Sequence, residues 1–99
     1  MNTGAYRYIR LSRAIAADNS WGSDEVRHKV VCPICGADYA HLIGTHLVSG
    51  NDNYAAGWGG RGDLVAVHFE GECDHAWEVC FGFHKGQTFT FVRMLSEKV

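Results

Sequence analysis

The feature that most constrains this chain is the C-P-I-C-G segment at residues 32–36. Two cysteines separated by two residues, in a tight turn closed by glycine, place both sulfurs within reach of one metal ion. A second group follows at Cys73-Asp74-His75 and offers a thiolate and an imidazole. Thiolate and imidazole ligands together suit Zn²⁺, which prefers four tetrahedral nitrogen and sulfur ligands. The sequence therefore predicts a small domain stabilised by a structural zinc ion.

The predicted zinc ligands are Cys32, Cys35, Cys73 and His75. The first three follow from the spacing of the cysteines, and His75 is the first choice for the fourth position. The C-x-H step is shorter than the usual C-x-x-C, so the chain must turn at Asp74 for both side chains to converge. Other residues remain open as the fourth ligand: Cys80, which is also simply explained as a buried apolar thiol, His41 and His84.

Length and composition are those of one domain spanning residues 1–99, with 46% hydrophobic residues. Residues 1–25 form a predicted amino-terminal helix or extension, and residues 26–95 form a zinc-stapled sheet. A domain of this size buries a smaller share of its surface than a larger one. Bound zinc would supplement the core, because the free energy of metal binding in small zinc domains acts as folding energy.

Hydrophobic patterns indicate a mainly β fold of the small α+β type. Tyr8, Leu11 and Ile15 recur at helical spacing and predict a helix over residues 5–17, with a strand over residues 6–11 as the alternative. Strands are predicted at residues 26–31, 39–48 with a bulge at Gly44, 64–69, 75–83 and 88–95. Residues 84–87 form a tight turn. The expected architecture is a zinc-ribbon-like antiparallel sheet of three to five strands with one amino-terminal helix.

Charge and cysteine content narrow the class of protein. The formal net charge of -2 argues against a general DNA-coating protein, although Arg7, Arg10 and Arg13 make the first segment basic. Residues 1–20 lack the apolar core of a secretory signal, and no apolar run is long enough to cross a membrane. We therefore expect a cytoplasmic protein, in which reduced cysteines favour metal binding over two disulfides.

A glycine-rich loop over residues 49–63 carries two large aromatic residues, Tyr54 and Trp58. Aromatic and arginine side chains supply much of the binding energy at protein interfaces. We expect Tyr54, Trp58 and Arg61 to belong to a partner-binding surface, with Arg10 and Arg13 as charges at its rim. The alternative is that Trp58 packs onto the sheet and the loop only tethers it.

Several motifs recur in the same order in a known group of proteins: V-C-P-I-C-G at residues 31–36, Tyr39 with His41-Leu42, a glycine-rich loop ending at residues 60–63, Glu72-Cys73, and F-G-F-H-K-G at residues 81–86. With these motifs the chain resembles small zinc-ribbon proteins of bacteriophages and other bacterial mobile elements. Members often have C-x-x-C or C-x-x-x-H in the second knuckle, where this chain has the shorter Cys73-Asp74-His75. Residues 1–30 lie outside the resemblance, which implies a fold and a phage-like origin but no established activity.

These observations favour a non-enzymatic zinc-binding module that acts by binding a host protein, for example a component of a defence system or of transcription. The alternative is a nucleic-acid-binding zinc ribbon that uses the amino-terminal arginines, with Tyr54 and Trp58 as stacking surfaces. A metal-dependent or redox enzyme is the third class, although the chain contains no H-E-x-x-H motif. Exposed sheet edges would also allow a homodimer.

Overall fold

The computed structural model describes residues 7–18, 20, 27–49 and 62–96. These residues form two antiparallel sheets. The elements are β1 (Arg7–Ile9), a 3-10 helix (Leu11–Arg13), β2 (Ile15–Ala17), β3 (His28–Val30), β4 (Ala40–Val48), β5 (Leu64–Gly71), β6 (Ala76–His84) and β7 (Gln87–Ser96). The larger sheet has five strands in the order β1-β7-β6-β5-β4, and the smaller pairs β2 with β3. The expected antiparallel, mainly β architecture is confirmed.

The predicted amino-terminal helix is wrong. Over residues 7–17, the part of its range that the structure describes, the chain forms β1, the short 3-10 helix and β2. In β1, Ile9 pairs with Val92 of β7 and its side chain is buried, which agrees with the strand alternative for this segment. A helix of this length is marginal on its own in water. A strand, by contrast, pairs with β7 and places Ile9 in the core.

The alternation of side chains along β6 organises the large sheet. Trp77 and Val79 are buried on one face, and Glu78 and Cys80, which alternate with them, are buried on the other. The predicted turn between β6 and β7 is present at Lys85 and Gly86, both of which have positive φ angles. The predicted irregularity in β4 is also present, because its register against β5 shifts between Leu42 and Gly44.

The main core lies on the face of the large sheet that carries Trp77. Its buried members are Ile9, Ala14, Cys32, Phe69, Trp77, Val79, Val92 and Met94. Phe69 and Trp77 stack with ring centroids 6.2 Å apart. Because Ala14 and Cys32 come from the segments around the small sheet, this core joins the two sheets and places the first cysteine knuckle against β6.

The opposite face combines a small apolar cluster with a buried ion pair. Leu64, Ala66 and Cys80 are fully buried together. Beside them the Arg93 Nε donates a 2.7 Å hydrogen bond to the Glu78 carboxylate, and both side chains are almost inaccessible to solvent. Each charge therefore needs the other, because removing one partner of a buried pair leaves an uncompensated charge.

Candidate metal centre

The first knuckle is a tight turn held by backbone hydrogen bonds. The Gly36 amide donates to the Cys32 carbonyl at 2.9 Å, and the Cys32 amide donates to the Ala37 carbonyl at 3.1 Å. Gly36 has a φ of 75°, a conformation that glycine adopts without steric cost. The Ile34 amide also donates to the Cys32 sulfur at 3.4 Å. These contacts present Cys32 and Cys35 on the same side of the turn.

The small sheet and the 3-10 helix hold this knuckle in place. The Val31 amide donates to the Ala14 carbonyl at 2.8 Å, and the Arg13 Nη2 donates to the Pro33 carbonyl at 3.1 Å. The Arg13 contact spans 20 residues. Sequence reasoning missed this role, because no local pattern links an arginine to a distant carbonyl group.

The second knuckle is the connection between β5 and β6. The Asp74 amide donates to the Gly71 carbonyl at 3.2 Å, and the Gly71 amide donates to the His75 carbonyl at 2.9 Å. Asp74 has a φ of 69°, in the left-handed region that aspartate tolerates better than most residues. This is the turn that a C-x-H step requires, and it brings Cys73 and His75 to the same side of the chain.

The two knuckles meet, and their four side chains converge. The ligand atoms of Cys32, Cys35, Cys73 and His75 all lie within 4.8 Å of one another. The Nδ1 atom of His75 lies 3.2 Å from the sulfur of Cys73, 3.3 Å from that of Cys32 and 3.8 Å from that of Cys35. Zn–S bonds of about 2.3 Å and a Zn–N bond of about 2.1 Å separate nitrogen and sulfur by roughly 3.6 Å in a tetrahedron. The cluster therefore has the ligand types and the dimensions of a Cys₃His metal site.

His75 presents its Nδ1 atom to the sulfurs, so Nδ1 is the atom available to a metal. The side chain is 3% exposed, and within the described part of the chain its buried Nε2 has no hydrogen-bond partner. A histidine that ligates through Nδ1 carries its proton on Nε2. The burial of this ring supports a site that is closed to solvent on the histidine side.

The cysteines differ in their surroundings. Cys32 is buried, Cys73 is half-buried and Cys35 is exposed. A hydrogen bond from the Ala37 backbone, with a smaller contribution from the Cys73 side chain, lowers the pKa of the Cys35 thiol to about 7. Burial raises the pKa of Cys73. A bound divalent cation would favour the thiolate form of all three cysteines.

The three alternative fourth ligands lie outside this cluster. Cys80 belongs to the apolar cluster on the opposite face of the sheet, and burial raises the pKa of its thiol to about 12. The Nε2 of His41 lies 2.9 Å from a carboxylate oxygen of exposed Glu72. His84 ends β6, away from the second knuckle. None of them joins the one group of potential metal ligands found among the described residues.

The predicted partner-binding residues divide into two groups. Arg10 and Arg13 are exposed and line a common cleft near the 3-10 helix. Tyr54, Trp58 and Arg61 lie outside the described residues. Their assignment to a binding surface stays a prediction.

Comparisons with known proteins give no match: no family description, no curated protein and no solved structure matches this chain. The resemblance to zinc-ribbon proteins of bacteriophages therefore remains a prediction. Within the described ranges, no helix is long and apolar enough to span a membrane.

Proposed function

We propose that this chain is a non-enzymatic, zinc-ribbon-like module, encoded by a phage or mobile element, that binds a host protein in the bacterial cytoplasm. The observation that carries the proposal is the Cys₃His cluster, in which four protein ligand atoms lie within 4.8 Å of one another. Structural zinc sites have four protein ligands, whereas catalytic sites keep one position for water or substrate. The proposed zinc ion is therefore structural, and the function lies on the surface that it stabilises.

An uncovered apolar part of the large sheet supports a protein partner. The register places Leu47, Val65, Phe81 and Thr90 in one row across four strands. Leu47 is 64% exposed and Phe81 is 37% exposed, and nearby Phe83 is 46% exposed. The row contains no charged residue, and exposed apolar patches of this kind commonly mark protein interaction sites. A partner with its own apolar surface fits this face better than a polyanion does.

The test is a pull-down from host lysate with the zinc-loaded protein, with and without nuclease. We expect capture of a host protein that survives nuclease treatment, and Phe83→Thr should reduce the capture about tenfold or more, as for a residue central to an interface. Phe89→Thr is the matched control, because Phe89 is 44% exposed and its neighbour in the register is Gly82, on the other face. Equal losses from both variants, or capture abolished by nuclease, would contradict the proposed mode of binding.

The predicted role of Trp58 is tested in the same assay. If Trp58 contacts the partner, Trp58→Ala lowers capture and leaves the melting temperature unchanged. If the melting temperature falls by several degrees and capture is retained, Trp58 packs within the protein.

A nucleic-acid-binding zinc ribbon is the second candidate, favoured by the exposed arginines beside the 3-10 helix. Binding through phosphate contacts weakens steeply with salt, because each neutralised phosphate releases counterions. Binding through the apolar sheet face should change little with salt. Repeating the pull-down at two salt concentrations therefore separates the two candidates.

A further inference from the structure

We propose that two copies of this chain form a dimer through β4, with their β4 strands paired antiparallel about a two-fold axis. β4 spans Ala40–Val48 and is one edge of the large sheet in the described part of the chain. It pairs with β5 on one side and, among the described residues, with no strand on the other. Such a dimer depends neither on the capture of a host protein nor on the identity of the metal.

The side chains along β4 are largely exposed to solvent. Leu42, Ile43 and Leu47 are 61%, 53% and 64% exposed, and Tyr39, just before the strand, is 70% exposed. Among the described residues, these are four of the nine large apolar side chains that are exposed, so this apolar surface is concentrated along one strand. A long, exposed, apolar edge strand is a ready template for pairing with another strand.

β4 has few of the features that protect edge strands from pairing. Natural edges are commonly protected by short length, by lysine or proline, or by a bulge. The nine residues of β4 include no proline, lysine, arginine, aspartate or glutamate. Its irregularity lies between Leu42 and Gly44, and from Gly44 to Val48 the register against β5 is regular. This regular part can therefore accept a second strand.

The composition of β4 suits a second copy of the same strand. Pairing of identical strands brings identical side chains together, and like charges placed opposite each other would be destabilising. β4 contains no lysine, arginine or carboxylate side chain to cause this repulsion, and none to attract a partner of opposite charge. An antiparallel pair about a two-fold axis is also self-complementary, because each contact occurs twice. Both copies then use the same backbone edge over the same length.

The register shows that such pairing is compatible with the rest of the fold. A two-fold axis perpendicular to the sheet keeps the same face of both copies on one side, so the apolar rows that run from Leu47 to Phe81 would meet across the contact. The start of β4 lies beside the second knuckle, where Ala40 pairs with Gly71. Pairing centred on Gly44–Val48 therefore leaves the two metal centres at opposite ends of the contact.

The test is sedimentation velocity of the full-length protein as purified, over a concentration series. One strand per copy makes a small interface, so we expect a dissociation constant in the micromolar range and a series of about 2 to 200 μM. The average mass should rise from one chain towards two. It should stop at two, because the pairing uses the β4 edge of both copies. A single chain at every concentration, or growth beyond two chains, would overturn the dimer.

Thr45→Lys tests the position of the contact. Thr45 is exposed in the regular part of β4, so the melting temperature at low concentration should stay close to that of the wild type. The dissociation constant should rise about tenfold or more, because two like charges are brought together. Gln87→Lys is the matched control, because it adds the same charge at an exposed residue that β5 and β6 separate from β4. Equal effects of the two variants would contradict pairing through β4.

Hydrogen exchange of the wild type separates edge pairing from contact through the face of the sheet. Alternate amides of Gly44–Val48 point away from β5, and they should become protected at concentrations at which the dimer forms. A dimer formed through the apolar row would leave these amides unprotected and would be disrupted by Phe83→Thr and not by Thr45→Lys. That result would overturn edge pairing. All these measurements use the purified protein alone, so their outcome is independent of the pull-down from host lysate.

Discussion

At the scale of single residues, Asp74 makes the unusual second knuckle possible. Its φ of 69° turns the chain so that Cys73 and His75, only two positions apart, face the same point. In a regular strand these two side chains would also share a face, but about 7 Å apart at the backbone. The turn brings the Cys73 sulfur to 3.2 Å from the His75 Nδ1, a distance suited to a shared metal ion.

The choice between His75 and Cys80 as fourth ligand is tested by paired substitutions. His75→Ala should weaken zinc affinity by roughly a hundredfold or more, because it removes a direct ligand. Cys80→Ala should leave zinc affinity unchanged and cost about 1 kcal/mol of stability through lost packing. Competition with a chromogenic chelator measures the affinities. The reverse ranking would move the site to Cys80.

The buried thiol of Cys80 also predicts a dependence on alkaline pH. Burial raises its pKa from 9.0 to about 12, so the folded state holds the proton more tightly than the unfolded state does. Its contribution to stability is complete below pH 9 and is lost as the pH rises towards 12. Between these values the slope is at most about 1.4 kcal/mol per pH unit.

This pH dependence is measured by urea unfolding of the wild type and Cys80→Ala at several pH values above 8. Other groups titrate in the same range, so the difference between the two proteins is the informative quantity. We expect the advantage of the wild type to shrink as the pH rises. A constant difference would mean that Cys80 does not titrate differently on folding.

At the scale of elements, Gly71 at the end of β5 lies close to both the Cys73 sulfur and the Trp77 ring. A Cβ atom at Gly71 would lie 2.8 Å from the Cys73 sulfur and 3.3 Å from the Trp77 ring. Gly71 also donates its amide to the His75 carbonyl and accepts from the Asp74 amide. This glycine therefore lets β5 pass close to both the second knuckle and the core.

Gly71→Ala should displace the Cys73 sulfur or the Trp77 ring, weaken zinc binding measurably and destabilise the fold by about 1–3 kcal/mol, as overpacking does. Gly44→Ala in β4 is the matched control, because a Cβ atom there meets no atom within 4 Å. The stability of the Gly44→Ala variant should stay the same or rise slightly. Thermal unfolding with zinc bound measures both variants, and similar effects would show that the contact at Gly71 is unimportant.

At the scale of the whole molecule, the metal site links the two sheets. Cys32 and Cys35 follow the small sheet, whereas Cys73 and His75 lie in the turn that connects β5 and β6 of the large one. Without a metal, the joint between these parts depends on the main core and on single hydrogen bonds such as that from Arg13 to Pro33. A zinc ion would hold both knuckles at once.

Purified protein should therefore contain about one zinc ion per chain by elemental analysis. Removing it with a chelator should lower the melting temperature by more than 10 °C, because about 1 kcal/mol corresponds to roughly 4–8 °C in a domain of this size. Cys32→Ser should start from the lower melting temperature and respond little to chelator. Protein that was never exposed to chelator and contains no metal would contradict the structural role.

The sequence by itself determined the features that depend on local spacing. The C-P-I-C-G turn, the alternation along β6 and the turn at residues 84–87 each follow from neighbours in the chain. The Cys73-Asp74-His75 spacing also favoured His75 as the fourth ligand, because a single turn at Asp74 is enough to bring the two side chains together. In each case the physical cause lies within a few residues, so it is readable without the fold.

Only the tertiary structure decided the amino-terminal segment and the long-range pairs. The apolar residues of segment 7–9 fit both the helical and the strand periodicity. The strand forms because this segment pairs with the edge of β7. Likewise Glu78 and Arg93 are buried as a pair although 15 residues separate them. The strand pairing and the buried ion pair each need a partner that is distant in sequence, and local sequence patterns do not identify that partner.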